Sequence, residues 1–411
     1  MDEGNYRIDE FSLSAYYEKL FPFDKICKWL SVHNPTKSDK TDRTFNGLEQ
    51  REFALIKSDG TFIRYQSFSN PSELRMEVAK KNPIRIEIGP IYSHKPSEKE
   101  KYPNFCATAK ELVFDIDISD YNDIRTCCSE NRICRDCWLL MACCIRVIDT
   151  ALREDFGFQK ILWVFSGRRG VHCWVSDERA RNLSDNARFA LSRYFTLFEK
   201  KGLREFDQFA QPHYSVTRAY RICRDYFAKL ADSQGWLSRT EQIDKILGFI
   251  PIEFDKLKNR LKKSWTCDNN KSSKDKFSEL ENFVKKAENF RGKTKNLKNK
   301  ISASVIAMVL KYTYPRLDIE VTRKLNHLLK SPFVVHPGTG KICCPIKTRD
   351  AEAETEYSAS NECYESKWIA DRFDIEKIPS LSNINPSENG EKSESRLKFE
   401  QIVDEFGDFY K

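Results

Sequence analysis

The sequence predicts an α/β (α+β) protein: a mixed-sheet core, a helical subdomain inserted into it, and a small zinc-binding motif. Three observations carry this. Stretches around 112–118 and 160–165 have the residue types and period of strands. From 183 to 300 helical spacing takes over. Four cysteines crowd into 127–137, a short polar segment with little core of its own. The expected division is a first part of the core at 1–182 with the zinc motif at 127–137, a helical subdomain at 183–300, a second part of the core at 301–380, and a flexible tail at 381–411.

The 411 residues suffice for one large domain plus a smaller one. No apolar run reaches the roughly 18–20 residues of a membrane span. Met1-Asp2-Glu3-Gly4 lacks the basic-then-apolar pattern of a signal peptide. A soluble, intracellular protein with no membrane partner is expected. Its 14 cysteines are then expected as thiols and not as a disulfide framework. The net charge is +8, and residues 251–300 alone hold 15 basic and 7 acidic residues. A local basic excess suits a polyanion; a solvated helical face explains it equally well.

In chain order, Glu10 to Leu30 reads as one helix, with Leu13, Tyr16, Tyr17 and Leu20 on a face. A polar loop is expected at 31–50. Arg51–Ile56 and Thr61–Tyr65 alternate around the turn Ser58-Asp59-Gly60, so they predict a hairpin. Arg85–Ile88, Leu112–Ile118 and Lys160–Phe165 predict strands. Trp138, Met141, Ile145, Ile148 and Leu152 mark a helix between the last two. Phe277, Leu280, Phe283, Val284, Ala287 and Phe290 mark another. Mixed character returns at 301–346. The stretch 351–366, with five Glu and no Lys or Arg, predicts a loop, and 384–396 predicts disorder. Phe399, Ile402, Val403 and Phe406 are spaced as a short terminal helix.

Period two places Asp115 and Asp117 on one face of their strand and Phe114, Ile116 and Ile118 on the other. Two such carboxylates repel unless a cation lies between them, and hard ions such as Mg²⁺ or Mn²⁺ prefer oxygen ligands. A bare D-x-D is a weak signal, but a strand this apolar seldom carries acids without a use for them. Ser166-Gly167-Arg168-Arg169-Gly170 then forms a turn between two apolar strands. Its two arginines present forked donors that fit phosphate oxygens, and Ser166 and His172 flank them. A triphosphate site follows; a solvated arginine turn is the plainer alternative. Cys127-Cys128 and Cys134-x-x-Cys137 have the makings of a four-thiolate zinc site. Buried free thiols are the alternative, since Cys143-Cys144 is a second CC pair without obvious purpose. Asp318 offers a third carboxylate, and Lys330 and His336 further phosphate contacts, although alone each reads as a surface residue.

Together these segments resemble the small catalytic subunit of the archaeo-eukaryotic primase superfamily, most closely its eukaryotic form. The resemblance rests on L-V-F-D-I-D-I (112–118), S-G-R-R-G-V-H-C-W-V (166–175), R-L-D-I (316–319) and N-H-L-L-K-S-P-F-V-V-H-P (326–337). Y-Y-E-K-L-F-P (16–22), R-E-F (51–53), I-R-Y-Q-S-F (63–68) and Y-S-H-K-P (92–96) add to it. It implies a catalytic role for Asp115, Asp117 and Asp318 as ligands of two Mg²⁺ or Mn²⁺ ions. It implies nucleotide binding by Ser166, Arg168, Arg169, His172, Lys330 and His336, with Arg64 and Glu52 near the initiating nucleotide. Cys127, Cys128, Cys134 and Cys137 match its structural Zn²⁺ ligands. The implied activity is a DNA-directed RNA polymerase (primase), a nucleotidyltransferase that makes short RNA primers from ribonucleoside triphosphates on single-stranded DNA. The implied partners are a large primase subunit and the replicative DNA polymerase alpha complex, in the nucleus. Residues 347–372 and Cys343-Cys344 depart from the family pattern. A primase-polymerase of repair or lesion bypass would share both carboxylates and the basic turn. A non-catalytic nucleotide-binding subunit would have lost one of them, and all are present.

Overall fold

The computed structural model describes residues 6–31, 47–129, 132–198, 212–267, 270–288, 295–349, 368–384 and 392–409. The loop expected at 351–366, most of the one expected at 31–50, and 385–391 of the stretch 384–396 expected to be disordered lie outside these residues, whereas 394–396 already belong to a terminal helix.

The chain opens with α1 (Glu10–Lys19) and α2 (Phe23–Leu30). The single helix expected over 10–30 is broken at Phe21-Pro22, because Pro22 has no N–H to continue it. The hairpin follows as β1 (Arg51–Ile56) and β2 (Phe62–Gln66), then α3 (Pro71–Lys81), β3 (Arg85–Tyr92) and β4 (Ala107–Ala109). Next come β5 (Leu112–Asp117), α4 (Arg135–Glu154), β6 (Ile161–Phe165) and β7 (Gly170–Val175). Helices α5 (Glu178–Arg181), α6 (Asp185–Tyr194), α7 (Tyr214–Ser233), α8 (Thr240–Leu247), α9 (Asp255–Cys267), α10 (Ser273–Glu288) and α11 (Lys295–Thr313) make up the helical stretch. The boundary expected at 300 falls inside α11. The chain closes with α12 (Ile319–Arg323), β8 (Leu329–Lys330), β9 (Pro345–Ile346) and α13 (Glu394–Phe409).

Among the described residues the strands form two antiparallel sheets. The first has the order β2-β1-β3-β4, with β8 also paired to β3. The second has the order β5-β7-β6-β9. Helix α4 buries most of its length, and Trp138, Trp163 and Trp174 are fully buried. Inside this core Asp149 accepts from Trp163 Nε1 at 3.2 Å and Arg153 Nε at 2.8 Å, and pairs with Arg349 at 3.1 Å. That satisfies a carboxylate which would otherwise be costly to bury.

A second buried ion pair ties the sheets together. Arg51 on β1 and Glu111 just before β5 meet in a two-pronged pair at 2.7 and 2.9 Å, and Arg51 also donates to the Gly89 carbonyl at 3.1 Å. The tail expected to be flexible carries α13, whose Phe399 packs on Tyr16 and whose Phe406 packs on Trp29 and Phe333. Burying those rings offsets the entropy that a polar tail would keep.

Candidate active site and metal centres

Strand β5 places Asp115 and Asp117 as its sequence period predicts. Both side chains are partly open, while Phe114 and Ile116 are buried behind them. Strand β7 runs beside β5 with Asp115 opposite His172 and Asp117 opposite Gly170. The acidic strand and the basic turn are therefore hydrogen-bonded neighbours. This closeness depends on Gly170: a Cβ there would sit 2.3 Å from the Ile116 carbonyl oxygen. Gly167 takes φ +85°, open to glycine, and lets the turn double back.

Asp318 reaches the same edge from far along the chain. Its N–H donates to the Asp115 carbonyl at 3.2 Å. Tyr121, in the short turn after β5, holds that segment: its hydroxyl donates to the Tyr314 carbonyl at 3.0 Å and accepts from the Arg316 N–H at 2.9 Å. Asp318 then caps α12, accepting from the Glu320 N–H at 3.0 Å.

Burial, and after it the carboxylates of Asp117 and Asp318, push Asp115 up to about 7. The three acids are thus electrostatically one group, and their all-oxygen donor set fits Mg²⁺ or Mn²⁺. Asp117 has protein donors on both oxygens. Oδ1 accepts from the Ser119 N–H and hydroxyl at 2.8 and 2.7 Å, and Oδ2 from Arg169 Nε at 2.5 Å.

The second strip arrives on the other sheet. Lys330 sits opposite Glu87 in the β3–β8 pairing, and its ammonium donates across to the Ser166 carbonyl at 3.3 Å. Phe333, at φ +66°, bends the chain back; its N–H donates to the Cys343 carbonyl at 2.7 Å. That bend sets His336 against Gly167, where a Cβ would come 2.7 Å from the His336 Cβ. The turn is pinned further by Thr339, whose hydroxyl donates to the Gly167 carbonyl at 2.6 Å.

Cations are crowded here. Burial, then Lys330, Arg168, Arg85 and Arg169, press His336 down to about 3. Burial and Lys330 press His172 down to about 3. Arg168 Nε and His172 Nδ1 are buried without a hydrogen-bond partner among the described residues. A polyanion would relieve this repulsion and could engage the Arg168 donor.

Glu52 and Arg64 lie on the hairpin of the other sheet. Glu52 is fully buried and accepts from Arg64 at 2.9 and 3.1 Å, the Tyr65 N–H at 3.2 Å and the Tyr92 hydroxyl at 3.0 Å. Arg64 stays 32% exposed, so a ligand would meet Arg64 first and Glu52 only through it.

The four cysteines gather just past β5. Four Sγ pairs lie at 3.7–3.8 Å, and all four atoms are within 4.8 Å of one another. Sulphurs about 2.3 Å from a central zinc form a tetrahedron with edges of about 3.8 Å. The cluster can hold a zinc ion on this geometry, and among the described residues it alone closes to ligand spacing around one point. Arg125 donates to the Cys128 and Cys137 sulphurs at 3.4 and 3.8 Å, and Gln234, just past α7, accepts from the Thr126 and Cys127 N–H groups at 2.8 and 3.3 Å.

Ser119, Thr339, Arg85, Glu87, Arg125 and Gln234 also belong to these sites and are not predicted from sequence. Of these only Arg85 and Glu87 carried a usable signal. In R-I-E-I they alternate with isoleucines just as Asp115 and Asp117 alternate with apolar residues.

The family profile described as DNA primase small subunit matches residues 114–348. That span holds both aspartates of β5, the basic turn, the cysteine cluster, Asp318, Lys330 and His336. The DNA primase small subunit of Schizosaccharomyces pombe is 40% identical over 82% of this chain and 73% of its own length. Those of Drosophila melanogaster and Saccharomyces cerevisiae are each 37% identical, over 81% of this chain and 76% and 80% of theirs. No described helix is long and apolar enough to cross a membrane. With half the chain under the family profile and relatives matched along most of their length, the chain belongs to the DNA primase small-subunit family.

Proposed function

We propose that this chain is the catalytic subunit of a primase that makes short RNA primers on single-stranded DNA for replication, a nucleotidyltransferase reaction. The observation that carries the reading is the β5–β7 ladder, which sets Asp115 beside His172 and Asp117 beside the arginine turn. Chemistry that joins nucleotides needs such adjacency: a carboxylate set for metal next to a cationic cradle for triphosphate.

In this reading Asp115, Asp117 and Asp318 hold two Mg²⁺ or Mn²⁺ ions. When bound, such ions activate a 3′-hydroxyl and stabilise the departing pyrophosphate. Arg168, Arg169 and Lys330 bind and orient the triphosphate, and their fixed charges meet the charge that develops on it. Ser166 supplies a hydroxyl whose oxygen is already held by the Gly170 N–H at 3.0 Å. His172 and His336, kept uncharged, serve as neutral hydrogen-bonding groups and not as cations. Arg64, steadied by Glu52, faces the initiating nucleotide. The four cysteines hold a structural zinc ion. A large primase subunit, the DNA polymerase alpha complex and a nuclear location complete the reading; they rest on the resemblance.

The test is template-dependent incorporation of ribonucleotides on single-stranded DNA with Mn²⁺, using the purified chain. Arg168→Ala should raise the KM for nucleotide with a folded protein. An unchanged KM would remove the basic turn from the nucleotide site.

A further inference from the structure

The contact between Arg169 and Asp117 has a consequence for how ligands enter. Arg169 Nε lies 2.5 Å from Asp117 Oδ2, while Ser119 occupies Oδ1 with two donors. Oδ2 keeps one lone pair free, but a divalent ion bound there would lie against the Arg169 guanidinium, so like-charge repulsion favours the release of a protein donor as the ion takes Asp117. Ser119 is a poor candidate, because one of its donors is a backbone N–H within the turn after β5. Arg169 is a good one. Its backbone is pinned, with the Ile118 N–H donating to its carbonyl at 3.0 Å, but its side chain is 33% exposed and can rotate.

We infer that Arg169 is the resting counter-ion of Asp117 and exchanges it for phosphate, so that divalent ion and nucleoside triphosphate bind cooperatively through one side chain. This rests on Asp117 as a metal ligand and Arg169 as a phosphate ligand. The exchange balances charge at each stage. Without ligands, guanidinium neutralises carboxylate. With both bound, the ion neutralises Asp117 and the triphosphate neutralises Arg169. Phosphate alone strips Asp117 of its partner and readies it for the ion. The ion alone frees Arg169 for phosphate. Linkage makes the two effects equal. Arg168 has no such part, since it makes no ion pair with a carboxylate among the described residues, and its Nε is buried and unpartnered. The device would keep the carboxylates from binding an ion firmly until the substrate is present.

The test is Mn²⁺ binding to the full zinc-loaded chain in the absence of nucleotide, read from the electron paramagnetic resonance signal of free Mn²⁺. Arg169→Gln should bind Mn²⁺ about five- to thirtyfold more tightly than the wild type, within the usual range of coupling between sites. Arg169→Met, a second neutral variant of similar length, should do the same. Arg168→Gln removes the same charge one residue away, where no ion pair with Asp117 is lost, and should give a clearly smaller gain than Arg169→Gln. Equal gains at 168 and 169 would overturn the inference, because charge alone would then explain them. So would no gain in either Arg169 variant. Asp117→Asn separates the two layers: unaltered Mn²⁺ binding there would bring down the reading of Asp117 as a ligand, whereas weakened binding with no gain at Arg169 would sink the exchange alone.

Discussion

Replacing Asp115 by Asn should stabilise the protein while disabling it. Burial and the neighbouring carboxylates raise the Asp115 carboxyl from 3.8 to about 7. Between those values the folded protein retains a proton that the unfolded chain has released. Stability therefore falls as pH rises across that window, and the loss is complete above it. Converted in full, the shift is worth about 4 kcal/mol, at about 1.4 kcal/mol per pH unit. The side chain is 31% exposed, so solvent screens the repulsion, and about 2 kcal/mol is the expected share. Asparagine cannot ionise and escapes that cost. Urea denaturation of the zinc-loaded protein, free of Mg²⁺ and Mn²⁺, should show Asp115→Asn more stable than wild type by about 2 kcal/mol at pH 8, with a smaller gap at pH 5. Added Mn²⁺ should close the gap by stabilising only the wild type. A variant less stable than wild type at pH 8, or a gap that does not change with pH, would refute the electrostatic account of this site.

Other perturbations test the frame around it. Glu111→Ala leaves Arg51 buried and unpaired, and should cost about 3–5 kcal/mol in chemical denaturation; a loss under about 1 kcal/mol would mean the pair is not what joins the sheets. Cys134→Ser should lower bound zinc by elemental analysis and lower the melting temperature; a wild type purified without zinc would contradict the cluster's assignment. Gly170→Ala drives a Cβ into the Ile116 carbonyl. It should cost about 1–3 kcal/mol and most of the activity, since it parts β5 from β7 beside Asp117; wild-type activity would show that this register is not needed.

What the sequence disclosed was local. Asp115, Asp117, the arginine turn and the cysteine cluster each lie within a dozen residues, where a two-residue period or a ligand spacing can be read directly. Asp318 and Lys330 needed the resemblance, because what brings them in is tertiary: Tyr121 gripping the 314–316 backbone, and β8 joining β3. The pairing of Arg169 with Asp117 and of Arg51 with Glu111 spans 52 and 60 residues, beyond the reach of any periodicity. Helix α3 is not announced by the sequence for another reason. Its cap was legible, with Asn70 before Pro71, but only Leu74 and Val78 are buried, too thin a stripe to announce a helix. Helix α13 is legible in the spacing of Phe399, Ile402, Val403 and Phe406, but its docking is not, because Phe399 and Phe406 find their partners, Tyr16, Trp29 and Phe333, in distant segments.

The central claim is that nucleotides are joined at the carboxylates of β5. Its most direct test is primer synthesis by the purified chain on a single-stranded DNA template, with ribonucleotides and Mn²⁺, comparing wild type with Asp117→Ala. The account predicts short RNA products from the wild type and none from the variant, with both giving the same circular dichroism spectrum. Products of equal length and yield from the two proteins would contradict it.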